Sequence, residues 1–406
     1  MRGVRDPGGS TRDIAVSDGR IADTPRPGAE EIDGKGSVVL PRLADVHVHL
    51  DKTLLGERWF PHRPADTLEA RVSAERELLE SDLVAPLAVR AARLLERAVA
   101  HGTTLVQSHV DVADTGGVDR VETLLTVAKD YADLVDLALV AFPQAGLLRS
   151  REVRGALDAA LSLGAEAVGG LDPVAFDGDR EAHLDAVFAL AQRHGSRVDV
   201  HLHEPGVMGT ATIRAIATRA RALGFEGRCA VSHGYALAQV DDAELGVTAT
   251  AMAEAGVSLV TSVPGGGRLP PLRRLRELGA NVVVASDNVR DCWSPFGDAD
   301  QVARAALAAY CSNWRHDAEL AEALDLVTAN PAAAVGRPQA QLREGDLADF
   351  TLLRAENLSD ALVTAPKERL VVRAGCVVAR DGQLVEGRAR RPRDGRDNRR
   401  TELSKA

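Results

Sequence analysis

The sequence predicts a (β/α)8 barrel of the TIM type, joined to a small β-sandwich built from both ends of the chain. Three observations carry this expectation. A helix-period segment that ends in glycine is followed by a short apolar, β-branched run, and this unit recurs between residues 75 and 290. Counted with the run that leads into His47, the strand-like runs number eight, as alternating helices and strands of a closed parallel sheet require. The two flanks, residues 13–40 and 346–386, read instead as short strands around turn dipeptides such as Asp18-Gly19 and Asp33-Gly34.

In chain order, "LLERAVAHG" gives way to "TTLVQSHVD", "ETLLTVAKDYA" to "LVDLALVAFPQ", and "ALDAALSLG" to "AEAVGGLDP". Then "VFALAQRHG" precedes "SRVDVHLHE", "IATRARALG" precedes "FEGRCAVSH", "TAMAEAG" precedes "VSLVTSVPG", and "LRRLRELG" precedes "ANVVVASDN". Apolar residues three and four apart give each helix one buried face. A glycine (Gly102, Gly164, Gly195, Gly224, Gly256, Gly279) closes six of these segments, since it accepts the left-handed conformation of a helix end. The strands are near-continuously apolar, as when helices cover both faces of a sheet. A doubly wound open sheet is the rival fold, but "HVHLDK" after the first strand is no glycine-rich phosphate loop. The expected division is residues 1–41 and 341–387 for the sandwich, 42–340 for the barrel, and 388–406 for a disordered tail whose "RARRPRDGRDNRR" holds seven arginines.

The 406 residues, 45% of them hydrophobic, suffice for a large core. A net charge of −10 speaks against a nucleic-acid partner. There is no run of about 18 apolar residues, so no membrane span is expected. The first residues carry no apolar segment after their arginines, so no secretory leader is read and the cytoplasm is the expected location. Cys229, Cys292, Cys311 and Cys376 are scattered and read as ordinary reduced thiols. The expected partner is a small molecule; a homo-oligomer, common among soluble enzymes, stays open.

Barrel chemistry collects at the C-terminal ends of the strands. Six of the eleven histidines fall there. His47 and His49 end the first strand, and their spacing puts both side chains on one face, as a chelate needs. His109 and Asp111 end the second and read as structural groups that orient ligands. Gln144 follows the third strand. His201, His203 and Glu204 end the fifth, His233 the sixth, and Asp287 and Asn288 the eighth. His201 and Asp287 lie on strands that face each other across the barrel. His203 shares the face of His201 if the strand continues and leaves it otherwise, so a substrate contact and a supporting role both stay open. His62, His101, His183, His194 and His316 fall in helices or loops and read as surface. Trp293 and Phe296, after the last strand, are candidates to cover a flat ring, or else packing anchors.

With these residues placed, the chain resembles the amidohydrolase superfamily, and within it the cytosine deaminase group. The carriers are "HVHLDK" (47–52), "SHVDVAD" (108–114), "VAFPQAG" (140–146), "DVHLHE" (199–204), "VSHGYA" (231–236) and "ASDNVRDCW" (285–293), in order and at barrel spacing. The resemblance implies that His47, His49, His201 and Asp287 hold a divalent metal, zinc or iron. It implies that Glu204 shuttles protons, that His233 contacts the attacking hydroxide, and that Gln144 binds the edge of the ring. Asp287 both ligates and takes the proton of the attacking water. The reaction implied is hydrolytic replacement of a ring amine by a carbonyl, with release of ammonia. Binuclear relatives use a carboxylated lysine at the end of strand four. None of the five lysines (Lys35, Lys52, Lys129, Lys367, Lys405) lies near "AVGGLDP", so a single metal is expected.

Three departures bear on the substrate. Asn288 stands where cytosine deaminases carry a second aspartate, and an amide donates as well as accepts, whereas a carboxylate only accepts. Lys52 in "HLDK" resembles the branch that removes an alkylamine from isopropylammelide-type triazine rings. His203 differs from the usual deaminase residue. Lys52, Asn288, His203, Gln144 and Trp293 are therefore the expected substrate contacts. Removal of an alkylamine from a triazine-type ring, or opening of a cyclic amide, stands as the alternative reaction. A catalytically silent binding protein would not need the full set of His47, His49, His201, Glu204, His233 and Asp287.

Overall fold

The computed structural model describes residues 1–62, 67–113 and 116–388. Eight parallel strands form one sheet in strict chain order. They are β1 (Leu43–Val48), β2 (Thr103–Asp111), β3 (Asp136–Phe142), β4 (Ala167–Leu171), β5 (Arg197–Leu202), β6 (Cys229–His233), β7 (Ser258–Thr261) and β8 (Val282–Val284). Each coincides with one of the eight expected runs. Helices α1 (Leu68–Glu80) and α2 (Leu87–Ala100) follow β1. Then α3 (Gly117–Asp130), α4 (Arg151–Leu163), α5 (Arg180–His194), α6 (Gly206–Leu223), α7 (Asp242–Ala255) and α8 (Leu272–Glu277) follow β2 to β7 in turn, and α9 (Gln301–Cys311) follows β8.

The seam between β8 and β1 closes at the C-terminal end of the strands, through a parallel bridge between Val48 and Asp287. The Asp287 N–H donates to the His47 carbonyl at 2.7 Å, and the His49 N–H donates to the Asp287 carbonyl at 3.3 Å.

Helix α2 shows why the helices pack outside. Ala91, Leu94, Leu95, Ala98 and Val99 recur at three- and four-residue spacing and are all buried. Full burial of each Leu or Val contributes roughly 1.5–3 kcal/mol. At the ends of α5 and α6, Gly195 (φ 63°) and Gly224 (φ 72°) adopt the left-handed conformation expected of them. Inside the barrel, small apolar residues (Ala44, Val46, Leu105, Ala230, Val260, Val283, Ala285) plug the lower layer. The polar strand ends sit above them.

The chain ends build a seven-stranded sheet. Its order is Gln383–Leu384, Cys376–Arg380, Arg369–Arg373, Phe350–Leu353, Val38–Pro41, Val4–Arg5, Thr11–Arg12. The hairpin of Ala15–Ser17 and Arg20–Ala22 adds a second, two-stranded sheet. Val4, Ile14, Ile21, Val39, Phe350, Leu352, Leu370 and Val372 form their shared core. Val38–Pro41 runs antiparallel to Phe350–Leu353 and feeds directly into β1, so this sheet holds the strand that carries His47. The tail lies outside the described residues from residue 389 on; Arg388 pairs with Asp133 at 2.7 Å. No helix among the described residues is long and apolar enough to cross a membrane.

Two histidines expected at the surface are buried. His183 sits on the inner face of α5 against Gly170 of β4, with Nδ1 2.6 Å from Asp177 Oδ2. His101 is covered because the terminal sheet docks on the end of α2, where the Arg369 guanidinium donates to the His101 carbonyl at 2.6 Å. A helical position alone does not reveal which face a neighbouring sheet will cover.

Candidate active site

The strand register brings the polar ends together. His201 pairs with Leu171 of β4 and with Ser232 of β6, and Val48 pairs with Ser108 of β2. His233 (φ 72°), Asp287 (φ 60°) and Asp172 (φ 36°) turn the chain at the ends of β6, β8 and β4 with positive φ. Such backbone costs about 1 kcal/mol or more for a non-glycine residue, and it clusters at functional sites. Here it turns three polar side chains toward one mouth.

Hydrogen bonding determines the tautomer of His47. The Ser232 hydroxyl donates its single proton to Asp199 Oδ1 at 2.7 Å, so it accepts from His47 Nδ1–H, also at 2.7 Å. Gln107 Nε2 donates to the other Asp199 oxygen at 3.1 Å. Burial disfavours the charge on Asp199, but His109 and Ser232 outweigh it and hold the carboxyl below its usual range. His47 Nε2 is therefore left with a lone pair. It lies 3.5 Å from Asp287 Oδ1, and His49 Nε2 lies 3.5 Å from the same oxygen.

His201 stacks on Phe142 with centroids 4.1 Å apart, and its ring centroid is 4.6 Å from that of His47. Burial, then the neighbouring imidazoles and Lys52, keep His49, His201 and His233 well below the usual imidazole range, so these rings are neutral. Burial pushes His109 down to about 4.

The result is an inward-facing set of acceptors. Ring nitrogens of His47, His109 and His201 lie within 4.8 Å of one another, as do those of His47 and His233 with the Asp287 carboxylate. His49 joins through Asp287. Among the described residues, His47 Nε2, both His201 nitrogens and His233 Nε2 are buried without a hydrogen-bond partner. Acceptors that face one another without a donor are satisfied by a cation. Neutral imidazoles plus one carboxylate suit a divalent ion such as zinc or iron.

Above this cluster opens a cavity of about 520 Å³. His49, His201, His233 and Asp287 line its base; Phe142, Phe176, Tyr235 and Trp293 line its walls. Four expected substrate contacts are placed there with Trp293: Lys52, Gln144, His203 and Asn288. His203 Nδ1 is 2.8 Å from Asp172 Oδ2, and its ring packs on His233 with centroids 4.2 Å apart. Phe296 is 76% exposed and does not line the cavity, whereas Trp293 does.

Glu204 is buried with its carboxylate turned away. Oε1 accepts from the Val174 and Ala175 N–H groups at 2.6 and 3.2 Å, and Oε2 accepts from the Thr212 hydroxyl at 2.8 Å. It does not line the cavity, whereas its neighbour His203 does. Asp111 accepts from the Gln144 N–H at 3.2 Å and from Arg76 at 3.0 Å.

The chain matches the family model described as "Amidohydrolase family" over residues 30–385. The protein belongs to the amidohydrolase family. As an amidohydrolase it is a hydrolase of carbon–nitrogen bonds. The structure of N-isopropylammelide isopropylaminohydrolase from Burkholderia multivorans is 35% identical to it, covering 95% of this chain and 98% of that one at a TM-score of 0.89. A 5-methylcytosine deaminase from Klebsiella pneumoniae, liganded with 5-fluorocytosine, is 25% identical over 93% of this chain and 96% of its own at a TM-score of 0.80. A pterin deaminase from Rhizobium rhizogenes is 30% identical over 392 residues, 91% of this chain and 88% of its own length.

Two residues of this amidohydrolase site escaped sequence reading. Asp172, in the same "AVGGLDP" segment searched for a lysine, binds the His203 N–H, the His203 ring and the Glu204 N–H. Glu75 of α1 is buried; it accepts from Gln144 Nε2 at 3.1 Å and from the Trp293 indole at 2.6 Å. The available signal for Asp172 was an acidic residue at a strand end. No signal singled out Glu75 among the charged residues of its helix.

Proposed function

We propose that the protein is a metal-dependent hydrolase that replaces an exocyclic amine on a small nitrogen heterocycle with a carbonyl, releasing ammonia. The observation that carries this reading is the cluster at the cavity base, where the Nε2 atoms of His47 and His49 both lie 3.5 Å from Asp287 Oδ1. His47, His49, His201 and Asp287 would hold one divalent ion, zinc or iron. Such an ion lowers the pKa of a bound water from 15.7 toward about 7.

The protein's own groups do the rest. Asp287, anionic beside the imidazoles, takes a proton from the attacking water. His233, at the cavity base, stabilises charge as the ring carbon becomes tetrahedral. The proton reaches the leaving amine through the end of β5, where His203 faces the cavity and Glu204 lies behind it. Gln144 and Asn288 meet the ring edge. Each amide commits a hydrogen to a carboxyl group, Glu75 at 3.1 Å and Asp291 at 2.6 Å, which holds it in place beside the cavity. Lys52 lies 5.4 Å from the Trp293 ring and 5.6 Å from the Phe142 ring, flanking the slot for a flat substrate.

Removal of an alkylamine by the same displacement is the second reading. The extent of the match to the Burkholderia multivorans N-isopropylammelide isopropylaminohydrolase, 95% of this chain, favours it. The test is release of ammonia or alkylamine from a panel of aminopyrimidines, aminopterins and alkylaminotriazines, with metal measured on the same sample. Ammonia supports the first reading and alkylamine the second. A metal-loaded protein that releases neither overturns both. In that assay Glu204→Gln and His203→Asn, both retaining metal, show which group carries the proton.

A further inference from the structure

The cavity carries more positive charge than a neutral ring needs. Three cationic side chains line it: Lys52, Arg71 and Arg268. Lys52 is buried and already balanced: burial would lower its ammonium, but Glu75, Asp51, Asp111 and Asp291 surround it and raise it instead. The two arginines differ. Among the described residues neither has a carboxylate within ion-pair distance. Arg71 of α1 lies over the Trp293 ring at 5.4 Å, and Arg268, after β7, lies over the Tyr235 ring at 5.3 Å. Arg268 makes one long contact, from Nε to the Gly265 carbonyl at 3.4 Å. Stacking on an aromatic face holds the plane of a guanidinium while leaving its N–H fork free, the arrangement that receives a carboxylate or phosphate in two parallel hydrogen bonds.

Position completes the argument. His201, His233 and Asp287 form the buried base, whereas Arg71 is half-buried and Arg268 exposed at the mouth. A volume of about 520 Å³ lies in the range that takes ligands larger than one bare six-membered ring. A substrate that presents its amine to the base therefore directs its far end at the arginines.

We propose that the substrate is an amino-heterocycle bearing an anionic substituent, a carboxylate or phosphate, on the side opposite the amine, and that Arg71 and Arg268 recognise it. This rests on the reading of the site given above for the direction of the amine, but not for the binding of the anion.

The test uses matched pairs that differ in the charged group alone: cytosine with 5-carboxycytosine, and pterin with pterin-6-carboxylate. Binding to the metal-loaded protein is measured by calorimetry and amine release by steady-state kinetics. The carboxylated member of at least one pair is expected to bind at least about tenfold more tightly. That ratio should fall to roughly one to three in Arg268→Gln or Arg71→Gln, and should not move in Arg380→Gln on the distant terminal sheet. Equal binding within both pairs, or a preference that survives both substitutions, overturns the proposal. If amine is released equally from charged and neutral rings, the anion proposal falls and the reaction stands. If no ring releases amine yet the arginine-dependent preference is present, the reaction falls and the anion site stands.

Discussion

Glu75→Gln is the substitution that most directly probes how the cavity is organised. The Glu75 carboxylate accepts from two donors at once, Gln144 Nε2 at 3.1 Å and the Trp293 indole N–H at 2.6 Å. A glutamine offers one acceptor oxygen and one donor group, so only one of the two bonds survives and the other donor faces an N–H. Hydrogen bonds to charged groups contribute about 1.5–3 kcal/mol each. Losing one therefore releases either the Gln144 amide or the Trp293 indole, the two groups proposed to meet and cover the ring. If about 2 kcal/mol of that energy serves positioning in the transition state, kcat/KM falls roughly 30-fold. Lys52 also loses the carboxylate that contributes most to offsetting its burial, so its ammonium titrates lower in the variant. The assay is kcat/KM for whichever ring amine the wild type releases, with metal content measured alongside. Indole emission supplies a substrate-free readout, taken as the difference from Trp293→Phe because the chain has three tryptophans. A Glu75→Gln enzyme with wild-type metal content, unshifted emission and kcat/KM within about twofold would refute the reasoning.

Other substitutions address the remaining parts. Asp287→Asn and His49→Ala should lose most bound metal by elemental analysis, whereas His62→Ala, on an exposed loop, should keep it. Gly209→Ala should lower stability by about 1–3 kcal/mol and reduce turnover, because a Cβ there would lie 2.2 Å from the Glu204 carbonyl oxygen and 2.6 Å from the Ala236 Cβ. Gly155→Ala, on α4 with nothing within 4 Å of the added carbon, should be neutral or stabilising when both variants are compared by urea titration. Arg369→Met removes one of two cationic partners of the buried Asp300, which its guanidinium grips at 2.9 and 2.8 Å while Lys367 Nζ lies at 2.8 Å. With Lys367 still in place, the expected cost is up to about 3 kcal/mol. Burial would raise the Asp300 carboxyl, but Arg369 and Lys367 hold it below its ordinary 3.8. A carboxyl depressed in the folded state stabilises above its unfolded value, and that stabilisation is lost as pH falls through the folded one. The gap between wild type and Arg369→Met should thus narrow as pH falls, starting where the less compensated Asp300 of the variant takes up its proton.

Sequence periodicity was enough for the barrel because each strand, from the buried and largely polar β2 to the three valines of β8, follows a helix of clear apolar period. The placement of His47, His201 and His233 at one mouth followed from the strand count. Side-chain direction beyond a strand end did not. Glu204 and His203 are adjacent, yet one turns to Val174 and Thr212 and the other to the cavity, because Asp172 grips the backbone between them. Glu75 was invisible for another reason. In "LEARVSAERELLE" each carboxylate looks alike, and only the docking of α1 against the loop of Trp293 selects this one. The arginines at the mouth were hidden likewise, since a charged residue on a helix or loop is ordinarily a solvated one.

The seam of the barrel has a consequence for how the enzyme comes into being. The two ends of the site are joined where β8 meets β1, and the contact from Ser286 N–H to Asp45 Oδ1 spans 241 positions of sequence. During synthesis His47 and His49 emerge early and Asp287 late. On the function proposed above, a partly made or truncated barrel would hold its histidines without the carboxylate that completes them, and so would lack a competent centre. Reactivity is withheld until the last strand docks, and the final step of assembly is also the one that switches the chemistry on.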